Sequence, residues 1–95
     1  MTKTHKKLKK VLDLVLKIES LNKIDIFYLL HSHVKSLSVW ALSGKYDKEL
    51  QEQNKLLDEV LYYDEKMYDE KKFNDLITRL ETIYKLHQNE KPSNL

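Results

Sequence analysis

The sequence predicts an all-α fold, a small antiparallel bundle of four helices. Three observations carry that prediction. The 95 residues include one glycine and one proline, which leaves little of the turn chemistry that a β-protein uses. Leucine and lysine abound, and both favour helix. Apolar residues also recur at three- and four-residue spacing along most of the chain, the period of an amphipathic helix.

The first helix is expected from about Thr4 to Leu21, with Thr2 or Thr4 as its cap. Leu8, Val11, Leu12, Leu14, Val15, Leu16 and Ile18 spread over a broad apolar arc, while Lys9, Lys10, Asp13 and Lys17 fill the opposite one. Ser20 to Lys23 forms a short connection in which Asn22 reads as the N-cap of the next helix. So short a loop packs its two helices antiparallel.

The second helix, Ile24 to Leu42, is the least charged stretch and is expected to be the most buried. Ile26, Phe27, Leu30, Val34, Leu37 and Ala41 make one face, with Leu29, His33 and Trp40 beside it. His33 is expected partly buried next to Trp40. The outward strip is Tyr28, Ser32, Lys35, Ser36 and Val39. Gly44 supplies the C′ position.

The third helix begins at Asp47 as N-cap with Glu49 in its first turn. Leu50, Leu56, Leu57, Val60, Leu61, Tyr63 and Met67 face inward, with Gln53 and Asp64 as polar intruders that need partners if buried. A break near Tyr68 is favoured because Asp69 as N-cap sets Tyr68 at N′ and Phe73 at N4, a hydrophobic staple. Without that break, residues 47–88 form one long helix and the bundle has three helices. The fused form exposes more apolar surface and implies a homodimer. The fourth helix runs from about Glu70 to His87 on a stripe of Phe73, Leu76, Ile77, Leu80, Ile83 and Tyr84. Residues 1–88 are expected to form a single domain, and residues 89–95 a polar, frayed tail.

Charge is nearly balanced overall but unevenly placed. Residues 1–23 carry seven lysines against Asp13 and Glu19, whereas residues 45–72 carry nine acids against six lysines. No apolar run reaches the length of a membrane span, and the absence of cysteine removes disulfides and thiolate metal sites. The expected location is the cytoplasm. Abundant Lys, Asn, Ile and Tyr with a single arginine, Arg79, resemble the coding of an AT-rich bacterium, phage or mobile element.

No arrangement of residues supports catalysis or a cofactor. His31 and His33 point about 200° apart on a helix and cannot share a metal ion. The run HSHVKSLS resembles the phosphotransfer helix of histidine-phosphotransfer domains, which carry His-x-x-Lys-Gly. Here Lys35 follows His33 by two positions, and Ser36 stands where glycine belongs. Arg79 and His87 resemble the Arg…His pair of HEPN ribonucleases, but with seven residues between them the spacing is too wide. In size, basic character and expected helical class the chain is similar to class II bacteriocin immunity proteins, without a shared motif.

The expected function is therefore non-enzymatic: a regulatory or interaction protein, of inhibitor or immunity type, that binds another protein. Its candidate contacts are Tyr28, Ser32, Lys35, Val39 and Tyr62, because aromatic residues set among polar ones are enriched at interfaces. The alternative is a nucleic-acid-binding accessory protein that uses Lys6, Lys7, Lys9 and Lys10 of the basic first helix against phosphate. No cofactor and no metal ligand is assigned.

Overall fold

A computed structural model describes residues 3–43 and 55–88. The chain is not an all-α bundle. Two helices, α1 (Lys3–Glu19) and α2 (Glu70–Gln88), flank three strands in sequence: β1 (Ile24–His31), β2 (Ser36–Ser43) and β3 (Lys55–Tyr62). The strands form one antiparallel sheet in the order β1-β2-β3. The expected second helix is the β1–β2 hairpin, and the described part of the expected third helix is β3 and the turn that follows it.

The misreading has a physical cause. Residues four apart share a face in both a helix and a strand, because 4 × 100° nearly closes a circle and four is a multiple of two. Ile26 and Leu30, Leu37 and Ala41, and Leu57 and Leu61 all have that spacing. Within each strand the alternate positions decide the matter. On β2, Leu37, Val39 and Ala41 are all fully buried. They pair with Leu30, Tyr28 and Ile26 on one side and with Leu61, Glu59 and Leu57 on the other. These residues line the face that meets the helices.

Both helices pack on that face. Leu8, Val11, Leu14, Val15 and Ile18 of α1 and Phe73, Leu76, Ile77 and Leu80 of α2 form one core with Ile24, Leu37, Val39, Ala41, Leu57 and Leu61. The fold is a two-layer α+β arrangement, helices over a single sheet. The helices lie side by side and run in the same direction. Lys3 pairs with Glu70 at 3.1 Å and Lys7 Nζ donates to Asn74 Oδ1 at 2.6 Å at one end, while Lys23 Nζ donates to the His87 carbonyl at 3.2 Å at the other. The antiparallel packing expected of α1 and its successor gives way to an antiparallel hairpin.

Local chemistry explains the joints. Asn22 does not start a helix; it ends one. Its φ of 58° places it in the left-handed region, and its N–H donates to the Glu19 carbonyl at 3.0 Å, the geometry of a C-terminal cap for which asparagine is the usual substitute for glycine. Residues 32–35 turn the hairpin, with Lys35 at φ 54°. Asp64 lies in the connection after β3, where its Oδ1 accepts the Met67 N–H at 2.7 Å. At the start of α2, the expected cap is present. Asp69 Oδ1 accepts the N–H groups of Lys71 and Lys72 at 3.0 and 3.3 Å, and Tyr68 packs on Phe73 with ring centroids 5.4 Å apart. Helices α1 and α2 agree with their expected spans to within two residues at each end. Thr2, Gly44, Asp47, Glu49, Leu50, Gln53 and the tail 89–95 lie outside the described residues.

Candidate functional site

In a sheet whose one face is covered by helices, every second side chain points to the other face. Here that face carries Asp25, Phe27, Leu29 and His31 from β1, Ser36, Ser38, Trp40 and Leu42 from β2, and Asp58, Val60 and Tyr62 from β3. No described helix covers it. Phe27 and Trp40 are directly paired across the strands, and their rings stack at 4.8 Å with 12° between planes. Leu29, Val60 and Tyr62 are exposed by 45%, 51% and 42%. Ser38 and Ser36 of the middle strand lie between Leu29 on β1 and Val60 and Tyr62 on β3. Ser36 and Leu42, at the two ends of the middle strand, are buried.

Charge on this face is confined. Asp25 and Asp58 sit towards one end, with Lys55 Nζ held 3.1 Å from Asp58 Oδ2. Asp58 is the cross-strand partner of Trp40, and the next row, Leu29, Ser38 and Val60, carries no charge.

The expected contact residues scatter over the molecule. Tyr62 lies on the helix-free face. Ser32 and Lys35 are exposed in the hairpin turn, where Lys35 Nζ sits 6.0 Å from the Tyr63 ring centroid. Val39 is not a surface residue: it is wholly buried under the helices. Tyr28 points the same way, half-buried, with its hydroxyl 3.5 Å from the Leu8 carbonyl. Burial raises the Tyr28 phenol above its ordinary value, with Tyr63 adding to the shift. Both misplacements follow from reading β1 and β2 with a helical period, which assigns Tyr28 and Val39 to the outside.

The lysines of α1 do lie on its outer side. Lys6, Lys9 and Lys10 are exposed, while Lys7 turns towards α2 to reach Asn74. His31 and His33 are exposed at the end of β1 and in the turn, so the expected burial of His33 against Trp40 does not hold; Trp40 stacks on Phe27 instead. Among the described residues no group of three or more His, Cys, Asp or Glu is gathered to hold a metal ion. Arg79 is bonded to Glu59 at 2.7 Å and lines a shallow hollow of about 400 Å³ with Lys72 and Asp75. No described helix is long and apolar enough to cross a membrane. Comparison with known protein families, curated proteins and solved structures finds no match.

What sequence reasoning missed are Phe27, Leu29, Trp40 and Val60. The missed signal was the alternation within IDIFYLLH and SLSVWALS, where aromatic and β-branched residues are frequent. Read with period two, it assigns Phe27, Leu29, Ser38 and Trp40 to one face.

Proposed function

We propose that this chain is a non-enzymatic interaction protein of the cytoplasm that binds an amphipathic helix of another protein on the helix-free face of its sheet. One observation carries the reading: the apolar patch in which the half-buried, stacked rings of Phe27 and Trp40 lie beside exposed Leu29, Val60 and Tyr62. Its dimensions suit the occupant. Three strands about 5 Å apart offer a width close to the ~10 Å diameter of one helix, and this sheet already takes helices on its other face. Such a protein would act as an inhibitor or regulator by occupying a helical element of its partner.

Trp40, the single tryptophan, lies within the patch and reports on it directly. A partner recovered from host extract and identified should quench or shift Trp40 fluorescence on titration. Val60→Lys should weaken that binding by about 10-fold or more, because it places a charge in the apolar centre, while leaving the thermal midpoint unchanged. Replacing Lys6, Lys9 and Lys10 by alanine should leave the affinity intact. Binding indifferent to Val60→Lys overturns the reading. Retention on nucleic acid that falls steeply with salt, and is lost in the triple lysine variant, would replace it with the phosphate-binding alternative.

A further inference from the structure

The two edges of the sheet are built differently. β3 carries Lys55, Asp58 and Glu59 along its length, and its pairing with β2 is interrupted by a bulge opposite Ala41 and Leu42. Charges and bulges are the usual means of keeping an edge strand from pairing with another chain. β1 has neither in its middle. Its eight residues pair with β2 in unbroken register, and between Asp25 and His31 the sequence is IFYLL. Among the described residues β2 is its only strand neighbour.

β1 is also incompletely covered on both faces. On the helix side, burial falls along β1 from the buried Ile24 through the half-buried Ile26 and Tyr28 to Leu30, exposed by 44%. The helix layer thus covers the start of β1 and leaves its hairpin end open. On the other face, Leu29 is exposed to a similar degree. Covering the helix-free face leaves Leu30 untouched; extending the sheet past β1 covers both leucines.

We propose that β1 pairs antiparallel with β1 of a second copy of this chain, about a two-fold axis through Tyr28, joining two three-stranded sheets into one of six strands. The register follows from the residues. Keeping both helix layers on one side requires that each residue face another of the same parity. Centring on Tyr28 then sets Ile26 opposite Leu30 of the second copy, Phe27 opposite its Leu29, and Asp25 opposite its His31. From Ile26 to Leu30 every residue meets an apolar or aromatic one, Ile24 falls opposite Ser32, and Asp25 and His31 meet as carboxylate and imidazole, an acceptor and a donor. Centring on Phe27 instead opposes Asp25 to Leu29, and centring on Leu29 shortens the overlap to residues 27–31. The flank of α1 nearest the axis fits as well. Lys3 and Lys7 mark the side of α1 that faces α2. At 100° per residue the opposite side holds Leu12 and Leu16, and Leu16 is exposed by 55%.

This dimer is separate from helix docking on the open face, and the tests separate them. Sedimentation velocity over a concentration series should show a dimer dissociating through the micromolar range. Asp25→His and His31→Asp should each weaken it about 10-fold, since each change acts twice across the axis. The double variant, which restores the opposed pair with its members exchanged, should recover the wild-type affinity. Val60→Lys should leave the dimer intact. In this cysteine-free chain, Tyr28→Cys should form a disulfide-linked dimer on oxidation and Leu30→Cys should not. A monomer at all concentrations, a dimer indifferent to the single charge variants, a double variant weaker than either single one, or equal cross-linking through positions 28 and 30 overturns the proposal.

Discussion

Lys35 closes the β1–β2 hairpin with φ of 54°, a region in which a side chain with a Cβ costs about 1–2 kcal/mol relative to the right-handed form. Its carbonyl accepts the Tyr63 N–H at 2.9 Å, which ties the turn to the end of β3 and holds the conformation in place. The Lys35 ammonium gains little in return from the Tyr63 ring at 6.0 Å, about 0.5 kcal/mol at an exposed site. Lys35→Gly should therefore stabilise the fold by about 0.5 kcal/mol, the relief of the left-handed penalty less the added freedom of the unfolded chain. Chemical denaturation of the two proteins measures this. The same residue shows what the sequence leaves hidden. A turn through Ser32-His33-Val34-Lys35 contains none of the Gly, Asn or Pro signals that announce a hairpin, so the junction between the strands is invisible to turn chemistry. Asn22 is the converse case. Its preference for helix ends is plain, but asparagine serves both ends, and only the observed φ assigns it to the C-terminus of α1.

Among the elements, α1 and α2 were legible because their signals agree. In α2 the cap, the staple and the apolar stripe all point to one helix. Asp69 satisfies two of the N–H groups left open at the α2 N-terminus, so Asp69→Ala should cost about 1 kcal/mol, read as a lower denaturation midpoint with unchanged slope. The strands were illegible because their local signals conflict. KLLDEVLY is charged and leucine-containing, its two fully inward leucines lie four apart, and Glu59 occupies the position between them. A carboxylate on the helix-facing side of a strand argues against a strand until Arg79 of α2 is seen 2.7 Å away. That partner comes from 20 residues further along, beyond the reach of any local pattern. The contact surface was lost for the same reason: once β1 and β2 are wound as helix, Phe27 and Trp40 fall into an imagined core, and Val39 is turned outward.

At the scale of the whole molecule, the core and two partly buried tyrosines bear on stability together. Burial raises both Tyr28 and Tyr68 above the ordinary 10.0, with Tyr63 adding to the first and Glu70 to the second, against a smaller opposing effect of Lys3 on Tyr68. The Tyr68 hydroxyl is buried without a hydrogen-bond partner. A raised folded value means that the fold favours the neutral phenol. The stability this contributes is complete below about pH 10 and declines as pH rises through the folded values. Urea midpoints should hold steady from about pH 8 to 9.5 and decline above about pH 10. Tyr28→Phe should flatten that decline, and an unchanged pH profile in the variant would remove Tyr28 from the account.

The inequality of the two sheet edges limits growth. A sheet with two receptive edges can add copies without end, and the product is a fibre. With the bulge and the three charges on β3, only the β1 edge is receptive among the described strands, so strand addition through β1 uses up that edge of each copy. Assembly by this route stops at two, and the outermost strands of the finished particle are the protected ones. The distribution of charge in KLLDEVLY, which obscures the strand in the sequence, is thus also what makes the assembly finite.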